Sequence, residues 1–408
     1  MLVLYSAAHG GYGAEDAPLG GGATIANQLV DEWSRTRPFD LRLLGPSLLG
    51  EQAPGGRELT SLNESAYADF CHRFDAAVTS EILRHDPATT RVLVNDISEA
   101  PVFRRLAERG FALYTIYHVD VVAYVAKIYG RGMLPPKRMV QLYDKLGWLL
   151  PDMAKLVFEK QRQSLDHSRL VIVPSPSMRD LLLNCYPHVP PHRIRVLPWG
   201  FAPEPFSDSQ IDVEVRLLRD ELHLHPDVPT LLTLSRLSPE KGHDLLLDAL
   251  AAWEETDHFP ANGLNLVICG EPAYMKGQEF YASLVAKAQS LTRTKVRFPG
   301  HVTGLRKAAM FRAADLYVFP SRHESYGLTL LEALAAGVPA VTLDHDGARA
   351  VMRPEFGEMV PVADLILAIE RLLRDPVRRA SCARAAAAWA RTQPFSQTAA
   401  TLAQWILE

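Results

Sequence analysis

The feature that most constrains the fold of this chain is a repeated local order: a short apolar run, a polar or glycine break, then a stretch with helical periodicity. In the second half the runs are PTLLTLS (229–235), LNLVICG (264–270), KVRFPG (295–300), DLYVFPS (315–321), PAVTL (339–343) and GEMVPV (357–362). In the first half they are MLVLYS (1–6), RVLVND (91–96), FALYTIY (111–117) and RLVIVPS (169–175), with helices expected at 23–34, at 99–109 and between 137 and 166. Strands alternating with helices build parallel sheets. A chain of 408 residues is too long for one hydrophobic core. The Pro/Gly-rich stretch RIRVLPWGFAPEPF (193–206) supplies a break, followed by a charged helical segment and a fresh strand–helix series. The expected fold is α/β, with two doubly wound Rossmann-like domains facing across a cleft. Their expected bounds are 1–200 and 201–385, with a closing helix over 386–408.

Composition removes several classes of function. A net charge of −4 gives no electrostatic footprint for nucleic acid. Cys71, Cys185, Cys269 and Cys382 are far apart and form no metal-ligand spacing, which fits a reducing compartment and argues against structural zinc. MLVLYSAAHGG has no basic leader region and reads as a first strand, and no run is long enough to span a membrane. A cytoplasmic protein is expected.

The chemistry concentrates where strands exit into helices. In SRHESYGLTLLEALAAGVP (321–339) a carboxylate, Glu324, stands in the loop, and Gly327 opens the helix without a Cβ. A second carboxylate, Glu332, lies inside the apolar helix, about 80° around the helix from Glu324 by the 3.6-residue period. A helix N-terminus offers unpaired N–H groups and partial positive charge, which suit a phosphate. The amides of Ser325, Tyr326, Gly327 and Leu328 could hold a diphosphate or sugar hydroxyls. A capped core helix with two solvated glutamates would show the same local pattern. The loop LSRLSPEKGHDLLLDAL (234–250) repeats the logic, with Arg236 and Lys241 bracketing a glycine-started helix. Two cations there would suit the charge on a leaving diphosphate, or would simply be surface charges, but basic residues are disfavoured at a helix N-terminus, so their placement needs a reason. Gly270 and Gly300, and the segment running to Val302, offer strand-end positions beside which a nucleoside could lie. In the first domain Gly20, Gly21 and Gly22 precede a helix, and His118 ends a strand with Asp120 as a candidate orienting partner.

Taken together these residues resemble the retaining family-4 glycosyltransferases of the GT-B fold, most strongly in SRLSPEKGHDLL and in the Glu324-x7-Glu332 spacing. The resemblance implies that Arg236 and Lys241 bind a donor diphosphate, that Glu324 contacts the sugar and that Glu332 binds the ribose. It implies that Gly21 and Gly22 line the diphosphate and acceptor side, with His118 near the reactive face of the sugar, and that the last helix crosses back to the first domain. The implied reaction moves a sugar from a nucleotide diphosphate to a hydroxyl acceptor with retention, on one face, without a metal or other cofactor. The family's glutamate a few residues after the loop LDHDGARAVM is missing, since Arg349 and Ala350 occupy that region, and Asp344-x-Asp346 there is not read as a metal pair. Between 300 and 310 no acidic residue faces a guanine, so a UDP-sugar is preferred to a GDP-sugar. Segment 128–160 mixes bases, aromatics and apolar residues, and is the candidate for peripheral contact with the inner face of a membrane, against two core helices joined by a loop. Competing readings are a GDP-sugar transferase acting on a lipid or polysaccharide, another sugar-nucleotide enzyme such as an epimerase or phosphorylase, and a silent binding subunit. A nicotinamide dehydrogenase, with Asp40 as the acidic residue after the glycines, leaves the second domain unexplained.

Overall fold

A computed structural model of the chain describes residues 1–12, 20–59, 62–122, 135–273 and 277–408, without the side chains of Leu146 and Trp148. It divides into two compact units, Met1–Trp199 with Ser396–Glu408, and Gly200–Phe395. Residues 386–395 thus group with the second unit, and the last helix, Phe395–Leu407, is shorter than the expected closing segment.

The first unit holds a six-stranded sheet, β1 (Leu2–Ser6), β2 (Asp40–Leu44), β3 (Thr90–Val94), β4 (Ala112–Ile116), β5 (Leu170–Val173) and β6 (Ile194–Val196), in the order β2-β1-β3-β4-β5-β6. The second unit holds β7 (Thr230–Leu234), β8 (Leu264–Cys269), β9 (Thr294–Gly300), β10 (Leu316–Phe319), β11 (Ala340–Leu343) and β12 (Gly357–Val360), in the order β12-β11-β10-β7-β8-β9. Every pairing between these strands is parallel. All ten apolar runs are strands. Those missed, β2 and β6, are the two edges of the first sheet, where one side lacks a neighbour and the sequence no longer has to be apolar.

Both orders reverse direction once, between β1 and β3 in the first sheet and between β7 and β10 in the second. Helices leave on opposite faces at such a point, and a crevice opens at the carboxyl ends of the two strands. The positions to inspect are therefore the exits of β1 and β3, and of β7 and β10.

The expected helices at 23–34 and 99–109 are Gly21–Thr36 and Phe103–Glu108, and Pro136–Leu146 and Asp152–His167 lie in the region between 137 and 166. The candidate membrane segment falls partly outside the described residues. In its described part Tyr143 stacks on Phe158 with ring centroids 4.6 Å apart, and Val140 is buried, as core helices require. Among the described residues no helix is long and apolar enough to cross a membrane.

The last helix is tied into the first unit by Trp33, which is 1% exposed and donates its indole N–H to the carbonyl of Ala399 at 3.0 Å. Trp33→Ala is expected to destabilise the first unit by about 3–5 kcal/mol. Trp33→Phe, which keeps most of the volume but orphans the Ala399 carbonyl, should cost about 1–3 kcal/mol. Urea midpoints of the two variants check the order.

Candidate active site

At the exit of β7 the chain runs through Ser235 and Arg236 into a single 3-10 turn, Pro239–Lys241, and then into the helix His243–Glu254. Gly242 links turn and helix in the left-handed region, with φ 68°, and a Cβ there would stand 2.0 Å from the carbonyl oxygen of Pro320. Only glycine lets this turn lie directly against the exit of β10. The turn is clasped by Arg322, whose backbone N–H donates to the Glu240 carbonyl at 2.8 Å. Its guanidinium donates to the Pro239 carbonyl at 2.6 Å and to both oxygens of Asp244 at 2.7 and 2.6 Å.

This clasp brings Lys241 and Glu324 together as a short ion pair. Both are shielded from water, and Ser321 donates a further hydrogen bond to Glu324 at 3.3 Å. Burial alone pushes the Glu324 carboxyl up. Lys241, then His345 and Arg236, outweigh it and hold the group below the usual carboxylate range. Arg236 also lies 3.7 Å from Glu240, which accepts from Ser238 at 2.7 Å. Two cations at the switch point of a parallel sheet can neutralise charge growing on a bound anion.

Glu324 itself lies in a loop, and the helix Leu328–Ala335 starts four residues later with Gly327 as its N-cap. The expected angular offset between Glu324 and Glu332 on one continuous helix therefore does not apply. Leu331 N–H bonds back to the Gly327 carbonyl, so the amides of 328–330 form the open first turn. Tyr317 pins that turn, its hydroxyl reaching the Leu234 carbonyl at 3.1 Å and Thr329 Oγ1 at 2.8 Å. Ser325 and Leu328 are half-buried and Tyr326 is buried. Glu332 accepts from Lys307 at 3.0 Å, and Lys307 also meets Glu204 at 3.1 Å.

Gly270 and Val302 stand at the exit of β8 and just beyond β9. Gly270 donates its N–H to the Gly300 carbonyl at 2.8 Å, and a Cβ on it would stand 1.8 Å from the Ser235 carbonyl oxygen. Its glycine identity is explained by backbone crowding between the exits of β7 and β8. Val302 is buried. The segment 300–310 does meet carboxylates from elsewhere, Glu214 and Glu221 on Arg306 and Glu204 and Glu332 on Lys307, each already engaged with a cation. Asp344 and Asp346 both accept from Arg349.

In the first unit Gly21 and Gly22 belong to the first turn of the helix Gly21–Thr36 rather than preceding it. A Cβ on Gly22 would lie 3.3 Å from the His118 ring and 3.5 Å from Asp96, so Gly22 and His118 do meet. Asp120 accepts from Gln161 at 3.2 Å. The His118 ring contacts Asn95 Oδ1 through Nε2 at 2.9 Å and stacks on Trp199 at 5.7 Å.

The residues around them were missed in the sequence because RVLVND reads as a strand. Asn95 and Asp96 follow its last residue, at the switch point. His9 from the exit of β1 contacts Asp96 at 3.1 Å and Glu99 at 3.7 Å, and Tyr67 donates a short hydrogen bond to Glu99. Burial raises Asp96 and Glu99 alike. The charges of His9 and His118 bring Asp96 below its ordinary value, while Glu99, next to Asp96, stays above its own. Burial, the largest influence, and the neighbouring His9 hold the His118 imidazole down to about 4 against the pull of Asp96, so it is neutral near pH 7.

Residues 215–389 match the family described as glycosyl transferases group 1. A D-inositol 3-phosphate glycosyltransferase of Salinispora tropica is 37% identical over 170 residues, 40% of this chain and 35% of that protein. An alpha-monoglucosyldiacylglycerol synthase of Streptococcus pneumoniae is 31% identical over 231 residues, 56% of this chain and 44% of that protein. The chain thus spans less than half the length of each of these curated relatives. Among solved structures, sucrose-phosphate synthase from Thermosynechococcus elongatus superposes with a TM-score of 0.74 at 19% identity, covering 99% of this chain and 98% of that one. Anabaena HepE in complex with UDP and glucose superposes with a TM-score of 0.68 at 16% identity, covering 100% of this chain and 99% of that one. At these identities the structures share the two-unit α/β fold known as GT-B.

Proposed function

We propose, from the match of residues 215–389 to the glycosyl transferases group 1 family, that the chain is a retaining glycosyltransferase using a nucleotide-diphosphate sugar. The observation that carries this reading is the pair of buried Lys241 and half-buried Glu324 at the switch point, with Arg236 beside it and an open helix turn at 328–330. In this reading the diphosphate lies against that turn, within reach of Lys241 and Arg236. Glu324, held ionised, accepts from hydroxyls of the sugar, and Glu332 accepts from the ribose.

As the anomeric carbon–oxygen bond breaks, negative charge grows on the departing diphosphate. Lys241 is 8% exposed, and cations so shielded interact more strongly with that charge than they would in water. The acceptor hydroxyl then attacks from the face that the diphosphate leaves, and a leaving phosphate oxygen takes its proton, so no protein base and no metal is needed. His118, neutral near pH 7, accepts a hydrogen bond from a hydroxyl of the transferred sugar, and Gly21 and Gly22 leave room beside it. UDP is the proposed nucleotide. No acidic residue lies within 300–310 itself to face a guanine, and HepE was solved with UDP.

Thermal-shift measurements against UDP, GDP, ADP and their sugar conjugates test the reading. Stabilisation by UDP and its conjugates, lost in Arg236→Ala, is expected. No shift with any nucleotide at about millimolar concentration, where even a weak site would show a gain of the order of RT, would exclude the donor site.

A further inference from the structure

Asn95 is 1% exposed and has a polar partner on each side of its amide. Its Oδ1 accepts from the Tyr5 hydroxyl at 2.6 Å and lies 2.9 Å from His118 Nε2. Its Nδ2 lies 3.0 Å from Asp96 Oδ1 and 3.4 Å from the Gly22 carbonyl oxygen. Those last two atoms can only accept. Reversing the amide would set its oxygen against a carboxylate and a carbonyl, so the orientation is fixed by its neighbours. Asn95 Oδ1 is then an acceptor, and the contact with His118 is a hydrogen bond only if the imidazole carries its proton on Nε2.

We infer that Asn95 is a positioning residue that locks His118 in the Nε2–H tautomer, leaving Nδ1 as the nitrogen that accepts a hydroxyl of the bound sugar. The use made of that nitrogen rests on the function proposed above; the tautomer lock does not. Asn95 also ties three features of the site together, since one amide contacts the glycine turn, the histidine and Asp96. The ring plane is set by a second contact, the stack on Trp199. Around the imidazole the titratable groups are Asp96 and His9, with Tyr5 behind Asn95. A histidine left to solvent would exchange between tautomers and change charge near neutral pH. Here an acceptor on one nitrogen fixes the tautomer, and a neutral acceptor at that place, where a carboxylate would be isosteric, keeps the ring uncharged.

The test uses the full chain labelled with 15N-histidine. Long-range 1H–15N correlations are recorded, and the His118 signals are identified by their loss in His118→Gln. In the wild type at about pH 7 the ring should show a protonated Nε2 and an unprotonated Nδ1. Asn95→Asp puts a second carboxylate on the ring beside Asp96, so the imidazole should become doubly protonated at about pH 6 and lose its acceptor nitrogen. UDP-glucose should then bind about tenfold more weakly relative to UDP at that pH, the scale of one ligand hydrogen bond, and recover at about pH 8. An Nδ1–H tautomer or a charged ring in the wild type at pH 7 would overturn the inference without any variant. If neither UDP nor UDP-glucose binds the wild type, the donor-site reading fails, and the tautomer is still decided by the spectra.

Discussion

Replacing Lys241 with methionine is expected to lower kcat for sugar transfer roughly 10²–10³-fold, with a much smaller change in affinity for the donor. Methionine keeps the length and apolar character of the stem, so the loss is chiefly that of the charge. The lysine is already desolvated and aimed, with its ammonium on Glu324. Little reorganisation is then needed when charge appears on the leaving diphosphate. The same variant carries a pH signature. Glu324 is held below the usual carboxylate range by Lys241 against the effect of burial, so without Lys241 its folded-state value rises. A depressed carboxyl contributes stability that is present above its unfolded value of about 4.3 and lost as pH falls through its folded value. The gap in Tm between wild type and Lys241→Met should therefore be widest near neutrality and close below about pH 4. Steady-state kinetics beside Tm against pH check both parts. A variant that keeps kcat within about threefold of wild type would place Lys241 away from the developing charge, since losing one aimed donor there costs far more.

The strand–break–helix order made the sheets legible because parallel strands inside an α/β layer must be apolar along their length. The same reasoning fails at β2, DLRLL, and at the three-residue β6, where an edge position lets charged residues such as Asp40 and Arg42 into the strand. In the second unit the loops were readable because cations at a helix start run against the helix dipole and so stand out. What the sequence did not reveal is how those loops are held. Arg322 is an unremarkable base two residues before Glu324, and only the fold shows it clasping Asp244 and the Pro239–Lys241 turn. The first unit was harder still. His118 is recognisable at a strand end, but its partner comes from the exit of another strand, 23 residues away, while the nearer carboxylate, Asp120, accepts from Gln161. Asn95, Asp96 and Glu99 carry no local signal of their own. The signal that could have found them is positional, a polar pair directly after a strand that borders the reversal of the sheet order.

Gly347→Ala should separate the placing of Glu324 from its chemistry. Gly347 is buried in the short helix Asp346–Val351, where its backbone accommodates alanine without strain. The difficulty is space: a Cβ there would lie 2.6 Å from Glu324 Cβ and 2.7 Å from its carbonyl oxygen. Backbone atoms cannot swing aside as a long side chain would, so the Glu324 loop or the helix must shift by roughly 1 Å, at a cost of about 1–3 kcal/mol of stability. A displacement of that size at a reacting centre commonly costs about 10²-fold in rate. The amides of 328–330 and Glu332 lie on another segment, so the affinity for UDP should change little. The decisive comparison is a double-mutant cycle with Glu324→Ala. If the glycine acts by placing the carboxylate, Gly347→Ala should slow the wild type about 10²-fold, yet slow Glu324→Ala hardly at all, because the group it displaces is gone. Equal losses in both backgrounds would mean that the shift acts elsewhere, and that Glu324 tolerates its new position.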